Sequence, residues 1–103
     1  MASIRINAAA DGDNTLIAAV AGQKIVVISL VATGQTTAGV ALLRSGAAGT
    51  IHCDLSLGTS GGITVAGTER VPLFVCDAGA ALVCNNSAGL DVRGMVTFLM
   101  VPA

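Results

Sequence analysis

The stretch GDNTLIAAVAGQKIVVISLVATG, residues 12–34, decides how this chain is read. It opens on turn residues and then stays apolar along most of its length. A membrane-spanning helix needs about 20 mainly apolar residues in a row, and the stretch approaches that. Gly22, Gln23 and Lys24 break it in the middle, and Val and Ile dominate the second half. β-branched side chains suit a pleated strand, and a glycine-bearing break between two apolar runs is a turn signal. The stretch therefore reads as two strands joined by a tight turn at Ala21-Gly22-Gln23, a hairpin and not a membrane span.

The rest of the chain repeats this grammar. Glycines or glycine pairs recur at roughly the 8–12-residue spacing of an all-β sandwich or barrel. Strands are expected near 3–7, 14–20, 24–33, 38–44, 50–57, 62–66, 70–76, 80–86 and 91–101. No long helical periodicity competes, and the alanine-rich stretches 8–10 and 18–21 are too short for a stable helix. The expected fold is all-β: a single antiparallel β-sandwich, jelly-roll-like, with about eight to nine short strands. A chain of 103 residues fits one domain. Residues 1–10 are read as an N-terminal arm or edge strand ahead of a sandwich domain spanning 11–103.

Alternation assigns faces. In 50–57, Ile51, Cys53, Leu55 and Leu57 point one way and His52, Asp54 and Ser56 the other, as in a strand with one wet face. Two strands break that rule. In 24–33, Ile25, Val27 and Val31 share a face, while Val26, Ile28, Leu30 and Ala32 fill the opposite one. In 91–101, Val92, Val96, Phe98 and Met100 oppose Met95, Leu99 and Val101. One sandwich core uses one face of a strand, and soluble monomers rarely expose a large apolar patch. Val26, Ile28, Leu30, Met95, Leu99 and Val101 are accordingly the candidate oligomer interface. Composition agrees. Apolar residues make up 53% and charged residues 11%, against an ordinary charged share of about 25%, and the net charge is −1. Such a chain favours association over a solitary existence.

Other chemistry is thin. Arg5, Lys24, Arg44, Arg70 and Arg93 are scattered, and Tyr and Trp are missing, which argues against a nucleic-acid surface. Cys53, Cys76 and Cys84 match no zinc spacing and are expected as buried free thiols in a reducing compartment. His52 is expected as a solvated surface pair with Asp54. Asp11-Gly12-Asp13-Asn14 lacks the order of a calcium loop and reads as a turn. Gly58-Thr59-Ser60-Gly61-Gly62 has no following helix or P-loop lysine and reads as a flexible turn. Asn85-Asn86-Ser87 matches a glycosylation acceptor, but no signal peptide is expected at this N-terminus. No catalytic constellation, metal site or cofactor site is expected.

Four stretches together carry a resemblance: IRINAAADGDNTLIAAVAGQKIVVISLVATG (4–34), LLRSGAAGT (42–50), SLGTSGGITV (56–65) and GAALVCNNSAGLDVRGMVTFLMV (79–101). In their order of turns and strands they resemble small β-sandwich virion proteins of tailed bacteriophages, of the capsid decoration (cement) kind. The chain departs from that pattern at GTERVPLFVCDAG (67–79), where such proteins carry an aromatic-rich turn, and at Phe98, where a tyrosine is usual. The resemblance implies a jelly-roll-like sandwich, often a homotrimer, seated on the major capsid protein at the virion surface and assembled in the bacterial cytoplasm. No nucleic-acid or membrane partner is expected, given the scattered basic residues and the break at Gly22-Gln23-Lys24. The expected function is decoration and stabilisation of a capsid lattice. The alternative is a tail or fibre accessory module that binds the host surface, against which the lack of Trp and Tyr platforms counts.

Overall fold

In the computed structural model, which describes residues 1–47 and 49–103, the chain forms nine strands and no helix. They are β1 (Ala2–Ala8), β2 (Gly12–Ile17), β3 (Gln23–Gly34), β4 (Gly39–Ser45), β5 (Ile51–Leu57), β6 (Gly62–Ala66), β7 (Phe74–Val75), β8 (Leu82–Asn86) and β9 (Val92–Pro102). Two antiparallel sheets result. The first has the order β1-β9-β3-β6, with β7 also paired to β3; the second has the order β2-β8-β4-β5.

The pairing is nested. β4 pairs with β5, β3 with β6, β2 with β8 and β1 with β9, and successive pairs fall in alternate sheets. This is a long hairpin, folded at its β4–β5 tip and rolled up, which is the jelly-roll architecture. It corrects the reading of residues 12–34. The turn is present: Gly22 has φ +76 and the Gln23 N–H donates to the Val20 carbonyl at 3.1 Å. But β2 and β3 do not pair. They belong to different sheets, with β8 beside β2 and β9 beside β3. A turn sequence fixes a change of direction, whereas partners are fixed by which apolar faces meet.

Three bulges also revise the faces. In β3 the register with β9 slips between Val27 and Ser29, so Ile28 is an extra residue. A bulge inverts the in–out phase beyond it. Ile25 and Val27 point into the core before the bulge, and Leu30 and Ala32 point into it afterwards, all four at 2% exposure or less. Simple alternation puts Leu30 on the outer face with Val26 and Ile28; the bulge moves it inside. Leu16 in β2 and His52 in β5 are the other extra residues. The core between the sheets also takes Ile6, Ala8, Leu43, Leu55, Leu57, Leu82, Leu90, Val92 and Val96.

The expected strand 70–76 shrinks to Phe74–Val75. Pro72 has no N–H for a ladder. A tight turn precedes it, closed by the Thr68 N–H on the Val71 carbonyl at 2.9 Å and the Val71 N–H on Thr68 Oγ1 at 3.0 Å.

Buried Asn86 joins the two ends of this roll. Its Nδ2 donates to the carbonyls of Ala8 at 2.7 Å and of Ala10 and Leu90 at 3.3 Å, while its Oδ1 accepts from the Cys84 thiol at 3.2 Å. Gly94, in the middle of β9, has φ +153, and a Cβ there would run into the Val31 carbonyl oxygen and backbone. Gly94→Val should therefore destabilise the fold by about 3 kcal/mol or more. Gly22→Ala also carries positive φ but meets open space, and should cost only about 1 kcal/mol. Urea unfolding of the two variants measures the difference.

Candidate interaction surface on the outer face of the first sheet

The register of β1, β9, β3 and β6 lays out this face in rows across the strands. Asn7, Arg93, Thr33 and Gly62 form one row; Arg5, Met95, Val31 and Thr64 the next; then Ser3, Thr97, Ser29 and Ala66. Leu99, Val26 and Val75 make a fourth row, and Val101 beside Lys24 a fifth. The face is thus apolar in two patches, Met95–Val31 and Leu99–Val26–Val75–Val101. A polar stripe crosses between them, where Ser3 and Thr97 hydroxyls hydrogen-bond at 3.0 Å.

The six expected interface residues divide. Met95 (51% exposed) lies open on this face, and Leu99 and Val101 are half-buried there. Val31 (43%) and Val75 (37%), which alternation does not single out, join them. Val26 and Ile28 are buried within the single chain without belonging to the core between the sheets. The stretch from Gly67 to Gly79 follows this edge of β3. Its Gly67, Leu73, Cys76 and Gly79 N–H groups donate to the carbonyls of Ile28, Val27, Ile25 and Gln23 at 2.8–2.9 Å. Val26 and Ile28 thus lie on the strand along which this connection is hydrogen-bonded. Leu30 belongs to the core between the sheets. At the β9 end of the sheet, Met1, Ala2, Phe98, Leu99 and Met100 line an open depression of about 300 Å³.

The polar residues mostly hold the chain's own turns. Asp13 accepts from Asn85 Nδ2 at 2.7 Å, and Asp11 accepts from the Gly89 N–H at 2.8 Å. Asn14 bonds the Ala10 backbone through both ends of its amide. Arg93 grips Asp91 with two hydrogen bonds of 2.7 and 3.0 Å, which lowers the Asp91 pKa. No group of three or more His, Cys, Asp or Glu side chains able to hold a metal occurs among the described residues. Among the described residues no helix is long and apolar enough to cross a membrane.

His52 departs from expectation. As the extra residue of a bulge it does not pair with Asp54 in water. Its ring stacks on Phe74, with centroids 5.0 Å apart and planes 8° from parallel, and its Nε2 lies 2.6 Å from Ser45 Oγ. Buried Ser45 also accepts the Asp77 N–H at 2.8 Å. Thr50 Oγ1 in turn donates to Asp77 Oδ2 at 3.0 Å. The Ser45 hydroxyl thus ties β4, β5 and the β7–β8 connection together. It is shut away from solvent, and none of the residues lining the depression belongs to this cluster.

All three cysteines are free, with Cys76 and Cys84 buried and Cys53 half-buried. Burial pushes each thiol pKa up, that of Cys84 from 9.0 to about 11.

No protein-family model, curated protein or solved structure matches this chain. What the fold and the surface define is a class: a jelly-roll β-sandwich whose first sheet is apolar in patches on its outer side.

Two measurements check this account. Ser45→Ala strands the Asp77 N–H and should cost about 1–3 kcal/mol in urea unfolding. A thiol pKa raised on folding contributes stability that is whole below the unfolded value and lost as pH climbs through the folded one. Stability should therefore fall by up to about 3 kcal/mol between pH 9 and 11, and Cys84→Ala should flatten that slope.

Proposed function

We propose that this protein is a structural virion component that decorates and stabilises a phage capsid lattice as a homo-oligomer. The observation that carries the reading is the outer face of the first sheet. Met95, Val31, Leu99, Val101 and Val75 stand there together in nearby rows, while Val40 and Ile51 are exposed singly on the second sheet. Asp11, Asp13, Asn14, Asn86 and Asp91 are meanwhile engaged within the chain. A protein whose open feature is a patched apolar face is suited to be covered by another protein. Its jelly-roll topology is an architecture that viral capsid domains also use. The resemblance of its turns to small phage virion proteins points the same way.

The mechanism of such a protein is mass action. It binds the assembled lattice and not loose subunits, so each bound copy adds to the free energy of keeping the lattice whole. Met95, Leu99 and Val101 would supply buried anchors, and the Ser3–Thr97–Ser29 stripe would set their register by hydrogen bonds to the partner. Low charge suits dense packing on a particle, and buried thiols suit assembly in a reducing cytoplasm.

The test is thermal release of genome from particles with and without the protein. Particles that carry it should release at a higher temperature; equal release temperatures overturn the role. Met95→Glu combined with Leu99→Glu should weaken capture by particles about tenfold or more while leaving the urea midpoint nearly unchanged.

A further inference from the structure

The sandwich has five edge strands, the two-residue β7 sharing one flank of β3 with β6, and they are not equally protected. β2 carries the Leu16 bulge and Asp13, and β5 the His52 bulge and Asp54. β6 is five residues long and opens on Gly62. Bulges, charges and shortness are devices that keep edges from pairing. β1 is seven residues long, pairs with β9 without interruption from Ala2–Phe98 to Ala8–Val92, and contains neither proline nor bulge.

Its unused backbone groups can be assigned. In an antiparallel strand, residues alternate between bonding one neighbour and the other. The Ala103 N–H donates to Gly22 at 2.9 Å and the Gln35 N–H to Asp91 at 3.2 Å, so odd-numbered β9 residues bond toward β3. Even-numbered ones bond toward β1, where their partners are Ala2, Ile4, Ile6 and Ala8. The N–H and C=O of Ser3, Arg5 and Asn7 therefore point away from the sheet. On the same edge Ile4, on the core-facing side of the strand and opposite buried Val96, stays 39% exposed because nothing lies beyond it.

We propose that β1 is a strand-addition edge whose occupant is the β1 of a second copy, paired antiparallel across a two-fold axis through Ile4. A two-fold interface must be self-complementary. Centring on Ile4 sets Ile4 against Ile4 of the other copy in a closely spaced non-hydrogen-bonded pair. It sets Ser3 against Arg5 in hydrogen-bonded pairs on either side, and Ala2 against Ile6. Centring on Arg5 would oppose two like charges directly, which destabilises a cross-strand pair. The result is one continuous sheet of order β6-β3-β9-β1-β1-β9-β3-β6, with the two outer faces side by side. Such an edge generates dimers, not the trimer that the phage resemblance implies. The pairing shares with the virion reading only the premise that copies associate, and purified protein tests it whether or not particles are stabilised.

Light scattering of the purified chain at about 50 µM should give the mass of two copies. Arg5→Pro removes only an outward-facing N–H, so the monomer should keep its fold while the dissociation constant rises about thirtyfold or more. In the dimer the two Ile4 Cα atoms lie within the 4.4–6.8 Å that a disulfide spans. Mild oxidation should therefore link Ile4→Cys into a covalent dimer and leave Arg5→Cys unlinked. A one-copy or three-copy mass for the unaltered chain overturns the proposal. So does a dimer that Arg5→Pro leaves intact, or linking at Arg5→Cys in place of Ile4→Cys.

Discussion

The pairing of β3 with β9 is the constraint on which the rest depends. It runs from Gln23–Pro102 to Gly34–Val92, through the middle of the first sheet, and every other strand of that sheet is placed against one of these two. Its one irregularity, the extra residue at Ile28, sets which side chains enter the core. At Gly94 the Val31 and Ala32 backbone leaves no room for a side chain. The bulge lets a strand that is apolar on nearly every residue serve a single core: Ile25 and Val27 enter ahead of it, Leu30 and Ala32 after it. An unbroken strand of the same sequence would have sent Leu30 and Ala32 to the opposite side.

This explains what could be read from the sequence. Glycine spacing and β-branched runs gave strand positions close to the observed ones, because turn chemistry and pleat are local properties. The alternation of β9, with Val92 and Val96 inward and Met95, Leu99 and Val101 outward, was legible because β9 has no extra residue. Partner choice was not legible. The Gly22 turn looks the same whether the strands around it pair with each other or divide between sheets. Bulges left no signal either, and with them went the inward move of Leu30 and the inward tilt of His52 toward Ser45 and Phe74. The way the Gly67–Gly79 connection runs beside β3 was not legible either, because its backbone bonds depend on Phe74 and Val75 reaching that edge.

The division of labour among polar residues bears on function. Asp11, Asp13, Asn14, Asn85 and Asn86 sit close in the sequence to glycine turns, where a ligand site could be imagined. In the structure their side chains bind backbone or each other. Ser45 and His52 come as near as a nucleophile and base would, yet the hydroxyl is buried and also bonded to Asp77. Much of the polar chemistry of this chain is spent on holding a rolled sheet in shape, and the outer face of the first sheet is left with Met95, Val31, Leu99 and Val101 in nearby rows.

Nested pairing also governs the order in which the chain can satisfy itself. Only β4 and β5 are neighbours in both sequence and sheet. β3 meets β6 after one intervening hairpin, but its long ladder needs β9, at the far end of the chain. Such non-local pairing is slow to form. During synthesis, IVVISLVA (25–32) emerges well before the strand that covers one whole side of it. Segments rich in β-branched residues, uncharged and without proline, are those that cross-pair when left waiting. The stretch that holds the finished sandwich together is thus also an aggregation-prone window of the nascent chain.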